Sequence, residues 1–374
     1  MNEEQKKIGK KFTSLLLTWN GKKNNRQMPW KGEKDPYKIW LSEVILQQTR
    51  VEQGLKYYQN FIKNFPDVHS LANASDQKVF KQWEGLGYYS RCKNLLQTAR
   101  YISKDLKGIF PKDYGSILSL KGVGSYTAAA IASFAYNLPH AVLDGNVFRV
   151  ISRIMDIEIP VDTANGKKVF NETAQQILPK GRAGEYNQAI MDFGAVICKP
   201  VPLCNECFFN KYCSAYLQGK QLLLPIKEKK LQIKERWFNY VIIKYESRLV
   251  IRERVEKDIW QHLYEFPLLE TQGPASLSEI SGWLTKQFGI KKTDYALMLN
   301  KNLPAQKLTH QKINFRFVVF NLNKNIRLPA DYVYVSQRVL KKYAFPKTLA
   351  AFIADELVPK HMGAGRKFDY LKLT

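Results

Sequence analysis

The chain has 374 residues and carries 58 Lys and Arg against 33 Asp and Glu, a formal charge of +25, with 45% hydrophobic content. That length favours two domains over one, and the composition excludes a disordered chain. The charge excess suits a polyanionic partner, because each phosphate neutralised by Lys or Arg releases counterions; a basic protein without catalysis would show the same excess. No apolar run is long enough to span a bilayer, so no membrane association is expected. The start, Met1-Asn2-Glu3-Glu4, is acidic, and Leu15-Leu16-Leu17 is too short for a signal core. The expectation is an intracellular, cytoplasmic chain with reduced thiols, in which five cysteines suggest a metal site before disulfides.

In chain order, residues 1–220 read as helix after helix. Asp35-Pro36 is a helix start, the Asp as N-cap and the Pro in the first turn, and 36–65 carries apolar residues at helical spacing. Phe65-Pro66-Asp67 and Phe110-Pro111-Lys112 read as stops followed by new starts. Residues 221–235, including Leu224-Pro225-Ile226-Lys227-Glu228-Lys229-Lys230, have linker composition. Beyond it 238–244 and 316–321 are rich in Val, Ile, Phe and Tyr, as strands are, and 277–288 reads as a helix between them. The expected architecture is an all-α domain followed by a smaller α+β domain over 236–355 and a basic tail over 356–374.

Three groups of residues carry chemistry. Leu118 to Ala128 reads as helix, Gly122-Val123-Gly124 hairpin and second helix, in which glycine lets backbone N–H groups approach a phosphate. Taken alone, a plain helix–helix turn explains this pattern better. Leu143-Asp144-Gly145-Asn146-Val147 precedes another helix, and an isolated Asp there is most simply an N-cap or a turn former. Glu43 shares an apolar helical face with Ile39, Trp40 and Leu46, where desolvation would raise its pKa and make it an acid near neutrality. Two carboxylates in unlike environments are what removal of a base requires: an acid for the leaving purine, and an ionised group facing the oxocarbenium-like sugar. Cys198, Cys204, Cys207 and Cys213 form C-x5-C-x2-C-x5-C, enough thiolates for one metal centre, with spacing that leaves zinc and iron–sulfur open. Cys92 stands apart as a small buried or half-buried residue.

The hairpin followed by Leu-Asp-Gly-Asn-Val resembles the endonuclease III, or helix–hairpin–helix, superfamily. Met28-Pro29-Trp30, Asp35-Pro36-Tyr37, Trp40 to Thr49 and Gly85-Leu86-Gly87-Tyr88-Tyr89-Ser90-Arg91 are similar to the adenine DNA glycosylases, the MutY family, within it. The resemblance runs nearly the length of the chain. It implies a monomeric DNA-repair enzyme that removes adenine mispaired with 8-oxoguanine, or with guanine, in double-stranded DNA. By this resemblance Glu43 protonates adenine, Asp144 stabilises or traps the sugar cation, and Tyr126 and Asn146 assist. Arg26, Trp30 and Leu46 match the adenine pocket; Gln48, Thr49, Leu86 and Tyr88 match the wedge and the contacts beside the lesion. Bifunctional relatives carry a Schiff-base lysine where this chain has Tyr126, which implies base removal with little strand nicking. Lys121 replaces the usual Pro beside the hairpin, and Phe148 stands where some relatives have lysine. The resemblance favours a [4Fe–4S] cluster on the four cysteines, although the first gap is five residues here rather than six.

The C-terminal half resembles the Nudix-like domain of the same family, without the G-x5-E-x7-R-E-x2-E-E-x-G array of Nudix hydrolases. Leu308-Thr309-His310 stands where the family reads the lesion with Phe-Ser-His: Thr309 keeps the hydroxyl, Leu308 loses the aromatic plane. Rival readings are an endonuclease III-like glycosylase/lyase for oxidised pyrimidines, opposed by Tyr126 and the extra domain, and a non-catalytic DNA-binding protein, opposed by the pairing of Glu43 with Asp144.

Overall fold

A computed structural model of the protein describes residues 1–228 and 232–357; the tail expected over 356–374 therefore lies almost wholly outside the described residues. Contacts divide the chain into two units, Met1–Ala74 with Lys93–Lys229, and Ser75–Cys92 with Lys230–Thr374.

The first unit is helical, as its sequence periodicity implies. The Glu3–Lys22 helix is closed at its start by an Asn2/Gln5 capping box, and it lays Phe12, Leu16 and Trp19 inward at the i, i+4, i+7 spacing of one helical face. Phe170, Phe193 and Phe209 meet them in one core, each ring removing apolar surface worth roughly 1.5–3 kcal/mol. The small residues Ala128, Ala129, Ala130 and Ala132 of the Ser125–Tyr136 helix let the Pro36–Leu46 and Ala183–Val196 helices pack close against it. At Gly184 the approach is closest: a Cβ there would lie 2.5 Å from the Ser133 carbonyl oxygen.

Asp35 caps the Pro36–Leu46 helix by accepting from Tyr37 N, with Pro36 in its first turn. The helical pattern of 36–65 is not one helix. The chain breaks after Leu46, Gln48 takes a left-handed φ of 55°, and a second helix runs Val51–Asn64. The break turns Gln47, Gln48 and Thr49 out of helical register, where they become available to a site. Residues 221–228, at the start of the proposed linker, are held against this unit. Leu224 is buried, and its carbonyl accepts from Arg153 Nε at 3.1 Å, while Glu228 N donates to Asp162.

The second unit is built on a mixed sheet of β1 (Lys234–Tyr245), β2 (Arg248–Glu253), β3 (Tyr264–Glu265), β4 (Leu268–Thr271), β5 (Tyr295–Lys307), β6 (Gln311–Leu322) and β7 (Tyr332–Ser336). Its order is β3-β2-β1-β6-β5, with β4 on β1 and β7 on β2; β1 and β6 run parallel and the other pairs antiparallel. Because strand side chains alternate, Phe238, Tyr240 and Ile242 of β1 face one core, shared with the Lys347–Phe352 helix. Val241 and Ile243 face the other, shared with the Leu277–Phe288 helix. Both faces of β1 are covered, which is why it reads as a continuous apolar run rather than an alternating one. The protein is thus an all-α domain with a smaller α+β domain. Among the described residues no helix is long and apolar enough to cross a membrane.

Candidate active site

The Pro36–Leu46 helix buries nearly every side chain it has, and Glu43 is buried with them at 6% exposure. A carboxylate loses most of its hydration there, so burial pushes the Glu43 pKa up to about 7; hydrogen bonding to Tyr126 opposes this, and the nearby Asp144 charge adds to it. Asp144 sits at the start of the Gly145–Met155 helix and does two things at once. Its Oδ1 accepts from Val147 N at 2.7 Å, an N-cap bond, and its Oδ2 accepts from Asn146 Nδ2 at 2.9 Å. The N-cap reading and the catalytic reading of this residue are therefore compatible. Burial holds the Asp144 pKa above its ordinary value, and those two donors and the Arg149 charge offset only part of that rise. The result is an unequal pair: Glu43 without strong compensation, Asp144 with three stabilising contacts.

Arg149 extends the chain of contacts. Its Nη2 donates to Asn146 Oδ1 and to Gly194 O, each at 2.8 Å, and its Nε donates to Cys198 O at 2.8 Å. A continuous set of hydrogen bonds therefore links Asp144 to the backbone of the first cysteine in the cluster.

Glu43, Asp144, Tyr126, Asn146, Arg26, Trp30, Leu46, Gln48 and Thr49 line one cleft of about 500 Å³, so nine residues singled out in the sequence converge. Tyr126 OH lies 4.0 Å from the Met191 sulfur and is close enough to both carboxylates for them to raise its pKa, after burial. Trp30 packs edge-on to Tyr58 at 5.4 Å. Met28, Gln47, Val51, Gly145, Gln188 and Met191 also line the cleft and were not anticipated. Gln188 and Met191 carry no local signal: the Ala183–Val196 helix also holds Glu185, Asn187 and Asp192 among its apolar residues, so neither stands out.

Gly122 has φ 79°, and a Cβ there would lie 2.6 Å from Asn94 Cβ, so only glycine fits the hairpin. Gly124 caps the Ser125–Tyr136 helix without a side-chain bond, which leaves first-turn N–H groups open to an anion. Lys121 is exposed beside it, and Phe148 is turned toward Phe170 at 5.3 Å rather than toward the cleft.

The remaining expected contacts belong to the second unit. Of the two residues matched to the wedge, only Tyr88 projects, at 46% exposure and φ 48°; Leu86 is 6% exposed and supports the turn from within. Trp83 Nε1 and Arg91 Nη2 both donate to Gly87 O, which braces that turn. Tyr88 and Thr309 hydroxyls meet at 2.7 Å. Thr309 and His310 are exposed in the short β5–β6 hairpin, and Leu308 at its base is half-buried. Buried Glu265 is engaged by both Arg252 and Arg254, so its carboxylate is not open to a metal ion.

Cys198, Cys204, Cys207 and Cys213 line a common small cavity in the first unit, with Arg153 beside them. Arg153 is 2% exposed; it donates to Cys198 Sγ at 3.4 Å and to the carbonyls of Lys199, Pro200 and Leu224, which ties the cysteine loop down. Among the described residues no three His, Cys, Asp or Glu side chains close on one point. Four thiols that border one small cavity are a donor set that fits a metal centre, a zinc ion or an iron–sulfur cluster.

A helical unit that aims two desolvated carboxyl groups, Glu43 and the more fully hydrogen-bonded Asp144, into one cleft beside an open hairpin is that of a DNA glycosylase. Residues 41–180 match the model of the HhH-GPD superfamily of base excision DNA repair proteins, and residues 239–355 that of the NUDIX domain. An adenine DNA glycosylase of Buchnera aphidicola subsp. Baizongia pistaciae is 36% identical over 318 residues, 84% of this chain and 87% of its own. The Homo sapiens adenine DNA glycosylase is 38% identical over 221 residues, 56% of this chain and 40% of its own. The structure of a thermostable thymine-DNA glycosylase superposes with a TM-score of 0.52 at 30% identity, covering 57% of this chain and 98% of that one. The chain belongs to the adenine DNA glycosylase family. It is a base excision repair enzyme that binds DNA and hydrolyses N-glycosidic bonds.

Proposed function

We propose that the substrate is adenine mispaired with 8-oxoguanine in double-stranded DNA, and that the enzyme removes the base without cutting the strand. The observation that carries this is the unlike pair Glu43 and Asp144 in one cleft. A base must leave the stack to reach so enclosed a site, and an extruded purine would lie between Trp30, Leu46 and Arg26. Glu43, protonated near neutrality, gives its proton to the purine ring nitrogen, which turns a poor leaving anion into a neutral base. Asp144, whose carboxylate accepts from Val147 N and Asn146 Nδ2, faces the sugar as positive charge develops on it. Water completes hydrolysis at the sugar carbon.

Strand cleavage by β-elimination needs an amine that forms a Schiff base with the opened sugar. The cleft presents Tyr126 and Asn146, and among the described residues no lysine lines it, which supports base removal alone. Tyr88 and Thr309, joined through their hydroxyls on the second unit, supply a ring to fill the stack and a hydroxyl for the altered edge of 8-oxoguanine. On this reading the enzyme acts as a monomer within the cell. The four cysteines hold a [4Fe–4S] cluster that fixes the loop at 198–213 for docking on DNA.

Duplexes holding adenine opposite 8-oxoguanine should yield breaks on the adenine strand only after hot alkali, and duplexes with an oxidised pyrimidine should stay whole. Breaks at the pyrimidine without alkali would place the enzyme with the bifunctional relatives. Protein isolated without oxygen should contain iron and acid-labile sulfide in equal amounts, and C204S should lose both together with its visible absorbance. Zinc in their place would overturn the cluster assignment.

A further inference from the structure

Asp192 has no place in the chemistry above, yet it is the most completely bonded carboxylate near the cleft. Its side chain is 0% exposed on the Ala183–Val196 helix. Oδ1 accepts from Arg26 Nη1 at 2.8 Å and from Gln188 Nε2 at 3.1 Å. Oδ2 accepts from Asn24 Nδ2 at 2.9 Å and pairs with Lys31 Nζ at 3.0 Å. Lys31 Nζ also donates to Arg26 O, and Arg26 N donates to Asn24 Oδ1, so the irregular segment 24–31 is gathered onto this one group. That segment supplies Arg26, Met28 and Trp30 to the cleft wall.

The consequence for Gln188 is chemical. Its amide has a donor end and an acceptor end, and an ionised carboxylate only accepts. Whatever faces Asp192 must be the NH2 group, and the atom of Gln188 left for the cleft is Oε1. An acceptor there suits an exocyclic amine and opposes a carbonyl oxygen in the same place.

We propose that Asp192 is a positioning residue that sets base specificity: by holding the Gln188 amide in one orientation, it commits the cleft to a purine with a 6-amino rather than a 6-oxo group. This rests on the adenine reading of the site. In D192N the substituted amide offers one oxygen to four donors. Lys31 and Arg26, being charged, make the stronger hydrogen bonds and compete best for it. The Gln188 amide then meets an NH2 group, turns over, and shows its own donor to the base.

The test is single-turnover excision of adenine and of hypoxanthine, each opposite 8-oxoguanine, at saturating enzyme. In D192N the adenine-to-hypoxanthine rate ratio should fall by about tenfold or more, the scale of one mispaired buried hydrogen bond. In D192N/Q188E the carboxylate placed at 188 accepts from the amide placed at 192 and keeps an acceptor toward the cleft. There the ratio should return to within about threefold of wild type on the same scale. A ratio unchanged in D192N, or equal losses on both substrates, assigns Asp192 a purely structural role and overturns the proposal. Should D192N not fold, D192S decides. Its hydroxyl can donate as well as accept and no longer dictates which end of the Gln188 amide faces it. The ratio should then fall by about threefold or more, and an unchanged ratio overturns the proposal. A wild type that leaves adenine intact sinks the adenine reading itself. A wild type that excises adenine with the same ratio as D192N sinks only this inference.

Discussion

Glu43→Gln should slow excision by a factor on the order of 10²–10⁴, the usual worth of a positioned general acid, while leaving affinity for lesion-containing duplex essentially intact. Gln keeps the shape of Glu and adds no charge, so the buried face of the Pro36–Leu46 helix has no reason to repack. The proton is what is lost. With the Glu43 pKa pushed up to about 7, the wild-type rate should fall roughly tenfold per pH unit above neutrality, as the acid is titrated away. The residual activity of E43Q should lack that limb. A variant that retains a rate within tenfold of wild type, or that loses binding along with excision, would show Glu43 to be structural.

The same shift has a stability signature of fixed sign. The folded-state pKa lies above the ordinary value of 4.5, so on raising the pH the unfolded chain releases this proton first. Wild-type stability is therefore lost progressively between pH 4.5 and about 7 and then levels off. Gln does not titrate. E43Q should accordingly gain in melting temperature relative to wild type across that window, toward a difference of about 3 kcal/mol on the alkaline side. An enzyme stabilised by loss of its catalytic acid would show that the carboxyl is held for chemistry at a cost to the fold.

Asp144→Asn should lower excision by roughly 10²–10³, the scale for removing one preorganised electrostatic group at a developing charge. Asn is as good an N-cap as Asp, so the bond from Val147 N survives and the melting temperature should scarcely move. Asp144→Ala should lose the same activity and, in addition, about 1 kcal/mol of stability with the cap. The two variants separate the roles that this carboxylate combines. Equal melting temperatures for both would remove the capping role, and an active D144N would remove the electrostatic one.

Much of the fold and of the site is legible in the amino-acid order, and for local reasons. The start at Asp35-Pro36 and the Leu277–Phe288 helix depend on side chains within a turn of the backbone groups they satisfy. The Gly122 hairpin and the Asp144 cap are likewise short-range, as is the apolar helical face on which Glu43 sits. The four cysteines are close in sequence, so proximity in space came with spacing.

What the amino-acid order alone determined, then, is the helical character of the first unit, two of the seven strands and one helix of the second, both carboxylates and the grouping of the four cysteines. Only the tertiary structure decided which residues close the cleft. Gln188 and Met191 look like ordinary members of a buried helix until that helix is brought against the segment carrying Arg26, which lies 166 residues from Asp192. It also decided that Ser75–Cys92 groups with the C-terminal sheet, that Leu86 turns inward while Tyr88 projects, and that β1 pairs in parallel with β6. The physical reason is the same each time. Caps, turns and amphipathic faces are set by neighbours a few bonds away, and their signals are written locally. A cleft is a meeting of distant segments, and burial and ion pairing across it cost or stabilise only once the chain has folded.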